Sequence, residues 1–348
     1  MPWTSPESYE LFKIFVRHDH ERRRKMREQL AAKVKTTQIS EELMNELGTL
    51  SPDDFEGVMR EHPGYLPHRK IESIETMLAV FRRAIADLTS AIADFPTYDP
   101  RIPPSQRERR EADASIRVNK ELLAATSASQ ALYDYCRRIM DYVDREEFHR
   151  KVSETFDDEE HKMIRALRDV LLHRIHTEAS WSITYSSEGQ SKRFHIDVKE
   201  ILAEGELSAP AKRFLSRQDG TLDVTETLSR YAARVECFYG WLLPTLNRAL
   251  PQSVGEYRRC RIHVKAQHAR LTYRFLIGTW IQNGVDPYDH LPRHLDPEQL
   301  SVALALPLRS AEQIDYVISC LDRDGICDAD LRKLIYQFFR APQYIRIT

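Results

Sequence analysis

The chain has 348 residues, 42% of them hydrophobic and 30% charged, with a formal net charge of −2. Such a length carries two or three domains, and the composition is that of a globular protein with ample apolar content for a core. The near-neutral balance excludes a general polycation, so any nucleic-acid contact must come from local patches.

No apolar run approaches the roughly 18 residues that would mark a membrane-spanning helix, and the start Met1-Pro2-Trp3-Thr4-Ser5 lacks the basic-then-apolar pattern of a secretion signal. Five scattered cysteines, with no CxxC pair, suit reduced thiols in a cytoplasm better than a disulfide framework.

Residues 5–47 read as one or two helices through Leu11, Ile14, Phe15, Leu30, Val34 and Leu43. Within them, Arg17 to Lys35 holds eight Lys/Arg against three acids, either a solvated helix face or a phosphate-contacting arm. Ser51-Pro52 marks a helix start, and His62 to Pro67 reads as a loop by its breakers. Ile74, Leu78, Phe81, Ile85, Leu88 and Ile92 give residues 71–95 a clean amphipathic period. Four prolines between Pro96 and Pro104 mark a domain boundary. A long helix follows over 106–143, with Ile116, Leu123, Leu132, Cys136 and Ile139 on its core face.

Residues 158–174 read as one helix with acids in its first turn, where the helix dipole favours them, and Asp157 as its cap. Met163, Ile164, Leu167, Val170, Leu171 and Ile175 form its core face. At about 100° per residue, Arg168 and His173 border that face on opposite sides. Arg165, Asp169 and the apolar Leu172 lie between them, and a leucine there implies a covered face. After His176 the period changes to two: Trp181 to Tyr185 and Phe194 to Val198 alternate around a turn, predicting a β-hairpin. Helical spacing returns over 223–250, which Pro244 should end or kink, and over 257–282. Three short helices are expected over 297–306, 310–322 and 328–339.

The spacing Arg168-Asp169-x-x-x-His173 resembles the signature of the HEPN superfamily, an arginine, a polar residue and, after four to six intervening positions, a histidine. The segment from Arg117 and Asn119 through Leu122, Leu132 and Tyr135 resembles the partner helix of that group, and so does Tyr231 to Trp241. The resemblance covers residues 105–250. It implies a helical bundle, and in many members a ribonuclease that needs no metal and acts as a dimer; other members are non-catalytic. His173 would then move the proton, Arg168 would stabilise charge on the phosphate, and Asp169, four residues before His173, would orient the imidazole.

Arg258, Arg259, Arg261, Lys265, Arg270 and Arg274 form the most basic acid-free stretch. It is either an RNA-backbone surface or a set of arginines paired with acids elsewhere. His161, His173 and His176 lack a completing ligand set, so no metal or other cofactor is expected. Asp322-Arg323-Asp324-Gly325 fits a turn with Asp328 as the next helix cap rather than a calcium loop. No phosphate-loop, dinucleotide, serine-hydrolase or zinc-protease motif occurs.

The reading is therefore all-α: a HEPN-like bundle with a β-hairpin insertion at 105–250, flanked by helical regions at 1–95 and 251–348. The expected function is a metal-independent endoribonuclease, cytoplasmic and without a membrane partner. RNA is its expected substrate, and it is expected to be homodimeric through the Arg168–His173 face. The alternative is a non-catalytic dimerisation or interaction protein.

Overall fold

The computed structural model describes residues 6–35, 38–97, 99–156, 158–173, 179–186, 189–204 and 207–341; the side chains of 6–15, 173, 179–180, 183–186, 189–191 and 204 also lie outside that description. Among the described residues there are fifteen α-helices and one small three-stranded antiparallel sheet, so the chain is all-α with a β-hairpin insertion. No described helix is long and apolar enough to cross a membrane.

The chain divides into two compact units, one of residues 67–250 and one that joins Met1–Leu66 to Pro251–Thr348. This differs from three consecutive segments broken at the Pro96–Pro104 stretch. The prolines do stop a helix, but Ile74, Leu78 and Phe81 before them and Val118, Leu122 and Leu132 after them bury into one core. A helix break is local, whereas a unit is set by where the apolar faces meet.

The discontinuous unit begins with α1 (Pro6–Lys33), α2 (Glu41–Leu47) and α3 (Pro52–Met59). Ser40 and Ser51 cap α2 and α3, each hydroxyl accepting a backbone N–H at 3.2 Å. α4 (Tyr65–Ala93) starts inside the stretch expected as a loop. Pro67 falls in its first turn, where a missing N–H costs nothing because that N–H has no partner within the helix.

Then come α5 (Pro104–Cys136), closed by a 3-10 turn over Arg137–Tyr142, α6 (Arg145–Phe156) and α7 (Glu159–His173). β1 (Ala179–Ser186) and β2 (Gly189–Asp197) pair in register from Ala179↔Ile196 to Ser186↔Gly189. Two short helices unmarked in the sequence, α8 (Val198–Glu204) and α9 (Ala209–Ser216), lead to β3 (Thr221–Asp223), which adds to β2. The hairpin is fixed to α4: Lys192 Nζ donates to the Ala93 and Phe95 carbonyls at 2.8 and 2.5 Å, satisfying groups at the helix end. Phe95 and Trp181 stack with ring centroids 3.5 Å apart. α10 (Val224–Ala249) continues through Pro244, because Leu242 and Leu246 on either side both bury in the core.

The discontinuous unit resumes with α11 (Gln252–Gln282), then α12 (Leu291–His294), α13 (Pro297–Ala305), α14 (Ala311–Leu321) and α15 (Ala329–Phe338). α11 serves two cores. Tyr257, Cys260 and Val264 pack with Leu47, Phe55 and Met59, while Ile277 packs with Leu291, Val317 and Leu331. Asp328 caps α15, its carboxylate accepting from Leu331 N at 2.9 Å. The turn before it is held by Asp322, which accepts from Ile326 N at 2.6 Å and Cys327 N at 3.0 Å, with Gly325 at φ +65°.

Candidate functional site

α7 buries Met163, Ile164, Leu167, Val170 and Leu171 in the core of the 67–250 unit, which fixes the rotation of the helix about its axis. Its opposite side presents Arg165, Arg168, Asp169 and Leu172, spaced i, i+3, i+4 and i+7 and hence one stripe. Arg168 keeps 25% of its side chain exposed and Asp169 49%. Leu172 is 56% exposed. Arg165 is exposed and no described residue pairs with it.

Arg168 folds along the helix onto its neighbour: its Nε and Nη2 donate to Asp169 Oδ1 at 3.0 and 2.6 Å. One oxygen of Asp169 is thus engaged by Arg168 rather than kept for an imidazole. His173 closes α7, and its side chain lies outside the described residues, as do Asp157, Ile175 and His176.

The acids that open α7 do more than face the dipole. Asp158 is the residue seen to cap the helix, accepting from His161 N at 2.8 Å. Glu159 receives Arg213 and Arg217 of the α9 region, both at 2.8 Å. Glu160, with only 6% of its side chain exposed, receives Arg230 at 2.5 Å and Arg234 at 2.6 Å from α10, and Arg234 also pairs with Asp158. Next in line, His161 is buried with its Nδ1 2.8 Å from the Tyr231 hydroxyl. Burial holds the Tyr231 phenol well above the usual tyrosine range, so it stays neutral and able to donate. His161, 2% exposed, therefore belongs to packing.

Comparison of the chain with family models, with curated proteins and with solved structures gives no match.

The basic stretch on α11 is largely engaged within its own unit. Arg259 donates to the Ile39 carbonyl at 2.6 Å and to Glu256 at 2.7 Å. Arg261 faces Glu56 at 3.5 Å. Arg270 donates to the Ile326 carbonyl at 2.7 Å, and Arg274 reaches Asp328 at 2.8 Å and Asp330 at 3.2 Å. Lys265 is exposed, with no described partner, and Arg258 is half-buried. The Arg17–Lys35 run is tied down in the same way, among others by Arg23–Asp19, Lys25–Glu21, Arg27–Asp54 and Lys33–Glu46.

Among the described residues no group of three or more His, Cys, Asp and Glu side chains is placed to hold a metal. Two features escaped the sequence reading. Arg165 adds to the stripe a cation with no partner among the described residues, a role its place beside Leu172 on the helical wheel could have assigned. The Glu160 cluster was taken for capping alone, although Arg230 and Arg234, one turn apart, supply the complementary charges.

Proposed function

We propose that the 67–250 unit is a HEPN-type endoribonuclease that cuts RNA without a metal ion, using the outer stripe of α7. The observation that carries this reading is the accessibility of that stripe: Arg168, Asp169 and Leu172 all reach solvent, while the other conspicuous histidine of the helix, His161, is sealed in the core. α5, α7 and α10, the three helices that carry the resemblance, share that core.

In this reading two copies of the chain meet through Leu172, and the two stripes surround one scissile phosphate. Arg168 swings from Asp169 to the phosphate, an exchange of one charge-assisted pair for another with little net change. Arg165 and Arg168 stabilise the non-bridging oxygens as charge builds, and His173 takes or returns the proton of the ribose hydroxyl. Lys265, an exposed cation of the α11 stretch with no partner among the described residues, is the candidate for weak, non-specific backbone contact. A reducing cytoplasmic setting fits five cysteines that are all free.

One observation favours a second reading, a non-catalytic dimerisation module: the Arg168–Asp169 pair is already satisfied without RNA. The deciding experiment incubates wild type, Arg168→Ala and His173→Ala with a mixed RNA pool in EDTA. Cleavage by wild type with cyclic-phosphate ends, reduced about 10²–10⁴-fold by His173→Ala, supports the enzyme. No cleavage from wild type leaves the dimerisation module, and cleavage that appears only when magnesium is added overturns the metal-free chemistry.

A further inference from the structure

The α11–α15 part of the discontinuous unit does not close on itself. The C-terminal end of α11, α12, α14 and α15 enclose a cavity of about 360 Å³ lined chiefly by Ile277, Trp280, Leu291, Val317, Leu331 and Phe338. We propose that this cavity is a binding site for a flat, uncharged aromatic molecule of about two rings that carries one hydroxyl group.

Size sets the first limit. An apolar cavity of roughly 150 Å³ holds one benzene, so this one takes about two such rings and falls in the range of small-molecule sites. A long amphipathic helix, which docks by a row of anchors over several turns, needs an extended groove instead. Shape sets the second. Trp280 and His290 lie parallel, 6° apart with centroids at 5.8 Å, and Phe338 tilts 32° against Trp280 at 5.6 Å. Ring faces and edges at these angles match a planar aromatic guest in offset or edge contact.

Charge sets the third. Among the described residues, the charged side chains lining the cavity are Asp322, Arg323 and Asp324. Both Asp322 oxygens are occupied by backbone N–H groups of Ile326 and Cys327. Arg323 and Asp324 are exposed and of opposite sign. Burial keeps the lining Cys327 thiol above its ordinary value, hence uncharged at neutral pH. None of these described groups offers an unmatched charge to an ion, whereas the rings of His290 and His294 can each exchange a hydrogen bond with a hydroxyl. Tyr273 and Leu321, lining residues that are 49% and 48% exposed, mark the opening through which the guest enters.

The test uses the full chain and 2-naphthol in equilibrium dialysis, with decanoate as an acyl-chain probe of similar size. One equivalent of 2-naphthol is expected to bind saturably. Leu321→Trp fills the mouth from an exposed position and should weaken binding about tenfold, the usual scale of an overpacking penalty read as affinity. Phe275→Ser, which removes an exposed ring outside the cavity, should leave it unchanged. If Leu321→Trp loses helix content by circular dichroism, Val317→Phe fills the cavity from its wall and the same tenfold loss is expected. No saturable binding, equal loss in Phe275→Ser, or tighter binding of decanoate would each overturn the proposal.

Discussion

In residues 67–250 one core runs without interruption from Ile74 on α4 to Leu246 on α10, and it admits ionised groups at its edge: Glu160 between Arg230 and Arg234, with buried His161 beside it. The unit made of 1–66 and 251–348 divides its apolar residues between two clusters, one at each end of α11, and its buried polar side chains include the uncharged Gln313 and the imidazole of His62. Both units hold neutral polar groups by backbone bonds, Thr126 and Ser129 in the first and Gln313 in the second, but the first also admits a buried carboxylate because two arginines pair with it.

The largest effect should come from breaking the charge cluster. Glu160→Ala removes the buried partner of Arg230 and Arg234, which stay 51% and 31% exposed and keep Glu226 and Asp158. The expected loss is therefore about 1.5–3 kcal/mol, the scale of a hydrogen bond to a charged group. Urea unfolding followed by far-UV circular dichroism reads it; a loss below about 1 kcal/mol would show that water replaces Glu160 and that the two units treat charge alike.

The second unit should respond to acid instead. His62 is 2% exposed, and its Nδ1 accepts from Gly64 N at 3.0 Å, which places the ring proton on a buried Nε2. Burial lowers its affinity for a second proton, and the Glu256 carboxylate opposes this in smaller part. In the unfolded chain the ring titrates near its ordinary value of about 6.5. Below that pH the unfolded chain takes up a proton that the folded chain refuses, so this contribution is full above pH 6.5 and is lost as pH falls through the window beneath it. His62→Asn keeps an acceptor without the titration. Thermal unfolding between pH 7.5 and 5.5 should show a shallower acid slope for the variant; identical slopes would remove His62 as the cause.

The smallest effect on stability, and the largest on assembly, belongs to Leu172. Leu172→Lys alters an exposed position and should change folding stability by no more than about 0.5 kcal/mol. It should also shift sedimentation toward monomer. If wild type is itself monomeric at the highest concentration tested, the α7 stripe is no interface between copies.

Much of this was legible from residue spacing. The periods of α4 and α10, the hairpin, and the caps Ser51 and Asp328 follow from local rules, because a helix face or an alternating strand is written within a few residues. Pro67 and Pro244 misled because a proline's cost depends on whether its missing N–H had a partner and on how much apolar surface the continuing helix buries. α8, α9 and the three-residue β3 are too short to show a period at all. At the site, the position of Arg168 beside Asp169 is readable, but the choice of Asp169 to bind Arg168 is a matter of side-chain rotamer. Glu256 is a local partner of Arg259, but Ile39, Ile326 and Asp328, which receive Arg259, Arg270 and Arg274, lie tens to hundreds of residues away, and no local pattern names them.

The second unit's discontinuity has a consequence for how the chain is made. Phe55, Val58 and Met59 pack against Tyr257, Cys260 and Val264, which leave the ribosome only after the whole of residues 67–250. At roughly 5–20 residues per second that interval is about 10–40 s. The 67–250 unit has all its core residues in one continuous stretch and is complete before α11 supplies Tyr257, Cys260 and Val264 to the cluster begun by Leu30, Val34 and Leu47. During synthesis, then, the sides of α2 and α3 that α11 will cover wait in the open while their contacts with Leu30 and Val34 can already form.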